Sequence, residues 1–530
     1  MPIKSELADV DVPCVPFHEM IFSEMQRYGN EVALINNDTN ETFTFEDILL
    51  KTKYIAKSLL AMGIEKGEPI ILCVPNCPEF VWLFLGISLA GGIVCPLHPS
   101  FSKGLFFYNL LPNPREATVS GSSDKANRKH NTSRNAILPV CNRCFKNEMR
   151  LQIMDSTSRF AFVVPHALDN VSAVFNELNI DHRNINFVDI SKNRNAFRSL
   201  WMDKQQADYH LIKEAYDLPN RGEYILSTTL FHDTFGRDVL FSSLSNGATV
   251  VTFTDDVETL AKCIHAYKVK TLFVNPTTLR HLCNTDIISQ YPYYHLKTVV
   301  IGTEAIREDT IKRAYRCLPS VKHFSAVYEM TEAGIISRTT KLSPFIYRSC
   351  GTLCAGLSMM VIDMISGVEV GINEQGLILL RGQTVVSPYW KNDKATLEDF
   401  QRNGWRNTGD IGFYDKDGNV FLVDREKQVI KVDGFQVTPQ ELESILLTHP
   451  SIAEAAIVPA TKVNQQEIPV AFVVLKPCVP ATAEQIKEFI NERVMRHKQV
   501  DVVVIAMTLP RSPGGKILWR LLREAANRYT

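Results

Sequence analysis

Three short runs rich in β-branched residues, Thr249 to Phe253, Thr271 to Val274 and Thr298 to Ile301, follow one another at about the spacing of one helix. Connections of that length allow neighbouring strands to run parallel, and β-branched runs without alternation suit strands buried on both faces. The pattern predicts a βαβ rhythm and a mainly parallel sheet with helices on both sides. The same rhythm opens near the N-terminus. Phe45 to Met62 is amphipathic, with Ile48, Leu49, Ile55, Leu59 and Leu60 at helical spacing, and Gly63 closes it. Pro69 to Val74 (PIILCV) reads as a short buried strand, and a helix is expected from Glu79.

One segment approaches the length of a membrane span. Phe80 to Leu97 holds no charge over eighteen residues, where a span needs about 20 apolar residues. Gly91-Gly92 interrupt it and Pro96 ends it, so a buried helix, a glycine break and a short strand are expected and no transmembrane segment.

From Gly376 the rhythm turns to short strands and turns. Asp415-Lys416-Asp417-Gly418-Asn419 opens like a calcium loop, but its glycine is displaced and no Glu closes the frame, so a hairpin turn at Asp417-Gly418 is expected. An α+β unit follows Thr438: a helix after Pro439, strands at Ala455 to Val458 and Val470 to Leu475, then further helices. The organisation expected is α/β, with a large multi-layer N-terminal domain of mainly parallel sheets over 1–423. A hinge at 424–427 leads to a small mobile α+β domain over 428–530. Residues 111–150, with eight Lys plus Arg against three acids and no periodicity, read as an irregular insertion.

The charge balance excludes a dedicated nucleic-acid partner. Fifty-seven Lys plus Arg face 58 Asp plus Glu over 530 residues, and phosphate binding needs a basic surplus. Twelve scattered cysteines, of which only Cys141 and Cys144 share C-x-x-C spacing, form neither a zinc set nor a disulfide scaffold. The start lacks a signal-peptide core and the end, NRYT, is not a peroxisomal address. An intracellular, cytoplasmic protein is expected.

Four clusters in the C-terminal half carry chemistry. They are Tyr328-Glu329-Met330-Thr331-Glu332; Gly404-Trp405-Arg406-Asn407-Thr408-Gly409-Asp410; Asp424-Arg425-Glu426-Lys427, running through Lys431 and Gly434 to Pro439-Gln440-Glu441-Leu442-Glu443; and Pro510-Arg511-Ser512-Pro513-Gly514-Gly515-Lys516-Ile517. Each alone is a charged turn of an ordinary kind. Their order and separations are specific.

In that order they resemble the adenylate-forming superfamily of acyl-CoA synthetases, 4-coumarate–CoA ligases and firefly luciferases, from about Phe17 to Arg523. The resemblance implies activation of a small-molecule carboxylic acid by ATP with Mg²⁺, then transfer of the acyl group to coenzyme A. It implies Tyr328 and Thr331 at the nucleotide, with Thr331 touching phosphate, and Glu332 as the Mg²⁺ ligand, since hard cations take oxygen. Asp410 is implied to accept from the ribose hydroxyls and Arg425 to reach the nucleotide. It further implies that Lys516 bridges the acyl carboxylate and the α-phosphate, that Lys431 and Gly434 face the thiol tunnel, and that His232, in Leu230-Phe231-His232-Asp233-Thr234-Phe235-Gly236, lies at the acyl pocket. Gly302-Thr303-Glu304 loosely matches the loop beside adenine.

The chain departs from the resemblance at one place that matters for phosphate. The glycine-rich loop ending in Pro-Lys-Gly, whose backbone N–H groups cradle phosphates, should precede Tyr224, yet no glycine occurs between Gly121 and Gly222. Losing three charge-assisted bonds removes roughly 5–9 kcal/mol. Glu329 and Ala326 also stand where the family usually has Gly and Gln, and Asp433 where Lys is common. Two alternatives therefore stand beside an impaired ligase: a non-catalytic acyl- or adenylate-binding relative (a pseudoenzyme), and a chain mis-spliced over 111–222.

Overall fold

The computed structural model describes residues 2–5, 16–97, 99, 149–150, 152–181, 185–187, 220–253, 256–284, 287–302, 308–339, 345–385, 389, 392–399, 404–432, 435–462, 466–511 and 516–529. Residues 111–148, Cys141, Cys144, Thr303, Glu304, Asp433 and Gly434 lie outside them. The described residues fall into two compact units. The larger lies within Met1–Lys103, Arg143–Thr408 and Gly412–Leu422; the smaller takes Gly409–Ile411 and Val423–Thr530.

The three β-branched runs form strands Thr249–Thr252, Thr271–Val274 and Thr298–Ile301, each buried along its whole length. They belong to a nine-stranded sheet of the larger unit. Thr271–Val274 lies between Tyr224–Ser227 and Thr298–Ile301, parallel to both, and Tyr224–Ser227 pairs in parallel with Thr249–Thr252. Thr298–Ile301 in turn runs parallel to His323–Met330. The mainly parallel reading holds for this centre; the edges, including Val32–Asn36 with Glu41–Thr44, close by antiparallel pairs. A second, four-stranded sheet is parallel throughout and centres on Pro69–Cys73.

Helices pack on these sheets for local reasons the sequence states. Thr44 and Asp47 form a reciprocal cap at the start of Phe45–Ala61: Asp47 N–H donates to Thr44 Oγ1 at 3.1 Å and Thr44 N–H to Asp47 Oδ2 at 2.9 Å. This satisfies two donors that a bare helix start leaves open. The charge-free segment is helix Pro78–Leu89, buried from Phe80 to Ser88, followed by strand Ile93–Pro96. Among the described residues no helix is long and apolar enough to cross a membrane.

A five-stranded sheet orders Ile3–Lys4, Leu357–Ile362, Gly376–Gly382, Arg406–Tyr414 and Val420–Arg425. The turn between its last two strands is the one expected at Asp417-Gly418. Gly418 takes a φ of 75°, and Asp415 Oδ1 accepts from Asp417 and Asn419 N–H at 2.9 Å each. A side chain that ties its own turn needs no cation.

In the smaller unit, strands Ile452–Thr461, Glu467–Leu475 and Val502–Ala506 form one sheet. Alternation sends Ile457, Ala471 and Val473 to one core with Leu442, Leu446, Ile486 and Ile490 of helices Pro439–Leu446 and Ala483–Asn491. Val458, Val470 and Phe472 face Leu522 and Ala525 of helix Trp519–Ala526. A sheet covered on both faces explains why these strands are apolar nearly throughout.

Candidate active site

The Tyr328–Glu332 segment ends one strand and begins a turn. Strand His323–Met330 pairs with Gly334–Arg338, and the register slips between Tyr328 and Glu329. A bulge re-aims the residues beyond it. Tyr328 stays buried, while Thr331 is exposed and Glu332 half-buried. Thr331 Oγ1 accepts from Thr234 Oγ1 at 3.4 Å, which places it at the first turn of helix Thr234–Ser245.

That helix is led in by a loop held from two sides. Asn76 Nδ2 donates to Thr229 C=O at 2.9 Å, and Phe231 N–H donates to Asn76 Oδ1 at 2.8 Å. A Cβ on Gly236 would lie 2.1 Å from the Leu230 carbonyl oxygen, so only glycine lets the helix start this close to its own approach loop. His232 lies in that loop, its ring edge-on to Phe80 at 5.3 Å, with Phe231 tilted against Phe80 at 5.5 Å. A Cβ on Gly302 would meet the Phe235 ring at 2.9 Å.

Glu332 is the end of a side-chain network within the larger unit. Tyr389 Oη lies 2.7 Å from Glu332 Oε1 and 2.6 Å from Asp399 Oδ2. The Arg406 guanidinium sits over the Tyr389 ring at 4.8 Å, with its NH2 group 3.4 Å from Asp399 Oδ2 and 3.9 Å from Glu332 Oε1. Arg406 is 1 % exposed, and among the described residues it is the largest fully buried side chain. Burial, with Asp399 and Glu332 as hydrogen-bond acceptors, raises the Tyr389 phenol well above its ordinary pKa.

Asp410 comes from the same strand as Arg406, four residues on. Arg406, Thr408 and Asp410 are all buried, and Gly409 between the last two has a φ of 70°. Arg425 Nε donates to Asp410 Oδ1 at 2.9 Å; both residues belong to the smaller unit. Next to Arg425, Asp424 accepts from Arg425 N–H at 2.7 Å and from Gln440 N–H, in the first turn of Pro439–Leu446, at 3.2 Å. Burial raises the Asp424 carboxyl pKa.

Lys431 and Lys516 both lie in the smaller unit. Lys431 is exposed on the hairpin of Ile430–Val432 and Phe435–Val437, and its N–H donates to Glu467 Oε2 at 2.8 Å. Lys516 is half-buried beside a base formed where Arg511 bridges Ile517 and Leu518 N–H donates to Pro510 C=O at 2.8 Å. Arg511 anchors that base to Glu454 at 2.8 Å. Gly434 lies outside the described residues.

Of the residues singled out from sequence, Asp410 and Arg425 touch, and Thr331 sits beside Glu332 at the strand end. Sequence reasoning missed Asn76, Tyr389 and Asp399, and assigned nothing to Arg406. The period-two spacing of Arg406, Thr408 and Asp410 was a usable signal that these three share a face. Nothing local connects Tyr389 to Glu332.

The sequence pattern of the AMP-binding enzyme family matches residues 21–105 and 194–390, and that of the AMP-binding enzyme C-terminal domain matches 441–516. The chain belongs to the AMP-binding enzyme family, as an acyl-CoA synthetase-like ligase. Among curated relatives, 4-coumarate–CoA ligase 2 of Petroselinum crispum is 28% identical over 535 residues, covering 98% of this chain and 96% of that protein. 4-Coumarate–CoA ligase 2 of Nicotiana tabacum is 29% identical over 538 residues, with the same coverage of 98% and 96%. Solved structures share the fold. ATP-bound MatB from Rhodopseudomonas palustris superposes with a TM-score of 0.76 at 17% identity, over 96% of this chain and 99% of that one. The anthranilate CoA ligase AuaEII in complex with anthranoyl-AMP gives 0.74 at 20% identity, over 97% of each. The expected family and α/β class therefore hold.

Proposed function

We propose that this chain is an ATP-dependent acid–thiol ligase that forms an acyl-adenylate and passes the acyl group to coenzyme A. The observation that carries the reading is the Asp410–Arg425 pair: a buried carboxylate, 2.9 Å from an arginine, at the place where the family motif holds ribose. Activating a carboxylate beside a triphosphate demands charge neutralisation and in-line positioning. Asp410 accepts from the ribose hydroxyls, Arg425 orients that carboxylate and reaches the nucleotide, and Tyr328 and Thr331 flank it. Lys516 neutralises the acyl carboxylate and α-phosphate as they react. His232, beside Phe80, borders the acyl group, while Lys431 and Gly434 face the thiol.

The group the family implies at Glu332 is Mg²⁺. The oxygens of Glu332 and Asp399 converge on one hydroxyl, a donor set that suits a hard dication. Glu332 would hold the ion, which would supply positive charge to the phosphates. The names of the curated relatives point to aromatic propenoic acids as the first class to test, with fatty acids beside them.

ATP–pyrophosphate exchange on the purified chain, with Mg²⁺ and a panel of aromatic and fatty acids, tests the reading. Exchange above background supports it and names the acid class. Lys516→Ala is then expected to depress exchange far more than thioester formation from supplied acyl-AMP; equal losses remove the role given to Lys516. The glycine-free stretch before Tyr224 favours a second reading, a relative that binds acyl-AMP without turnover. It predicts no exchange together with measurable AMP binding.

A further inference from the structure

Glu332 is not a lone carboxylate at a strand end. Its Oε1 is 2.7 Å from the Tyr389 hydroxyl, which also lies 2.6 Å from Asp399 Oδ2. A phenol has one proton to donate, so it cannot satisfy both carboxylates at once. The second donor is Arg406, whose NH2 group lies 3.4 Å from Asp399 Oδ2 and 3.9 Å from Glu332 Oε1. The Arg406 guanidinium is itself seated over the Tyr389 ring at 4.8 Å. Glu332 and Asp399 side chains keep 25% and 30% of their surface exposed while Arg406 keeps 1%, so the anions face outward from a buried cation.

We propose that Tyr389, Asp399 and Arg406 are positioning residues that hold the Glu332 carboxylate in the orientation in which it takes Mg²⁺ with the nucleotide. The proposal rests on the reading of Glu332 given above. Tyr389 is the link, because its hydroxyl is the group that touches Glu332 most closely. Asp399 competes with Glu332 for that hydroxyl, and the Glu332 side chain keeps 25% of its surface exposed. Arg406 balances one of the two negative charges, so the pair keeps net attraction for a dication without repelling itself apart. A flexible glutamate would lose side-chain freedom on taking a metal; one already held by a phenol and a buried guanidinium loses less.

The test is calorimetric binding of ATP to the full chain with Mg²⁺ and with EDTA, the ratio of the two affinities being the readout, and AMP binding without metal as the control. Tyr389→Phe keeps the ring over Arg406 and removes only the hydroxyl. It is expected to lower the Mg²⁺ enhancement about tenfold, as outer-shell partners of metal ligands typically do, with AMP affinity and melting temperature close to wild type. Arg406→Lys, which keeps the charge but not the planar fork, is expected to fall between wild type and Tyr389→Phe. Glu332→Gln is the reference and should abolish the enhancement. A wild-type ratio in Tyr389→Phe beside a collapsed one in Glu332→Gln overturns the positioning role and leaves the reading of Glu332 standing. A wild-type ratio in Glu332→Gln, or no Mg²⁺ effect on the wild-type chain, overturns that reading and the proposal with it. Equal losses of AMP affinity and Mg²⁺ enhancement in Tyr389→Phe show a structural part only, which also overturns it.

Discussion

Arg425 Nε donates to Asp410 Oδ1 across 2.9 Å, with 63% of the arginine side chain in solvent and 7% of the aspartate. Asp410→Ala is expected to weaken AMP binding about 10–100-fold, the size of one or two hydrogen bonds to a charged group. Arg425→Ala should change folding stability by less than about 1 kcal/mol, because the arginine is solvated. Calorimetric titration with AMP checks the first; unchanged affinity in Asp410→Ala removes the ribose assignment.

Arg406 compensates two carboxylates from the interior. Arg406→Met keeps much of its volume and leaves Glu332 and Asp399 facing each other across Tyr389. Breaking a buried ion pair costs about 3–5 kcal/mol, and the partial exposure of both acids reduces that to about 1–3 kcal/mol here. The melting transition of the larger unit should move down by several degrees in a calorimetric scan. With two units present, the two transitions are to be fitted separately. A variant as stable as wild type shows that the carboxylates relax into water.

Glu443 gives a pH signature in the smaller unit. Part of its stem is exposed, but its carboxyl turns inward, where Oε1 accepts from Ile457 N–H at 2.8 Å. Burial raises its pKa from 4.5 to about 8, the Ile457 bond opposing and nearby Asp424 adding to the rise. The folded state therefore holds a proton that the unfolded state has lost between those values. Stability is fully present below pH 4.5 and falls as pH rises towards 8, by one to a few kcal/mol on the order of 1.4 kcal/mol per unit. Glu443→Gln, which keeps the acceptor without the charge, should flatten that slope. Urea midpoints of wild type and variant from pH 5 to 8.5 should diverge; parallel curves would show that Glu443 ionises without penalty.

Gly236 governs the approach loop that carries His232. A methyl at this position meets backbone, the Leu230 carbonyl at 2.1 Å, which cannot swing aside as a side-chain tip does. Gly236→Ala should cost about 1–3 kcal/mol or displace the loop. A displaced loop weakens acid binding while leaving AMP binding nearer wild type. Equilibrium denaturation and separate titrations with AMP and acid distinguish the outcomes; wild-type behaviour in all three shows that the loop has room.

The fold was legible where a single period rules. Strands Thr249–Thr252, Thr271–Val274 and Thr298–Ile301 fall within a residue of where the β-branched runs place them, because strands buried on both faces carry their signature in composition. The same holds for helix Phe45–Ala61, whose apolar stripe repeats at helical spacing and whose cap is written in Thr44 and Asp47. The antiparallel edge pairs of the nine-stranded sheet were not legible. Nothing in Glu41 to Thr44 marks it as an edge partner of Val32–Asn36, since pairing depends on which strands remain unpaired once the centre has formed.

The order of charged motifs was sufficient to single out Asp410, Arg425, Thr331 and Glu332 as candidates, because chemistry at a phosphate would call for such residue types and the chain keeps them in a recognisable sequence. The sequence by itself thus determined the principal elements, the family and which charged groups are candidates. Only the tertiary structure decided that Glu332 shares a hydroxyl with Asp399 through Tyr389, 57 residues from the first and 10 from the second. It also decided that Arg406, four residues before Asp410 on one strand, points its charge into that cluster. The physical reason is that periodicity reports which face of an element is buried, whereas convergence of polar tips depends on strand order and on the bulge after Tyr328.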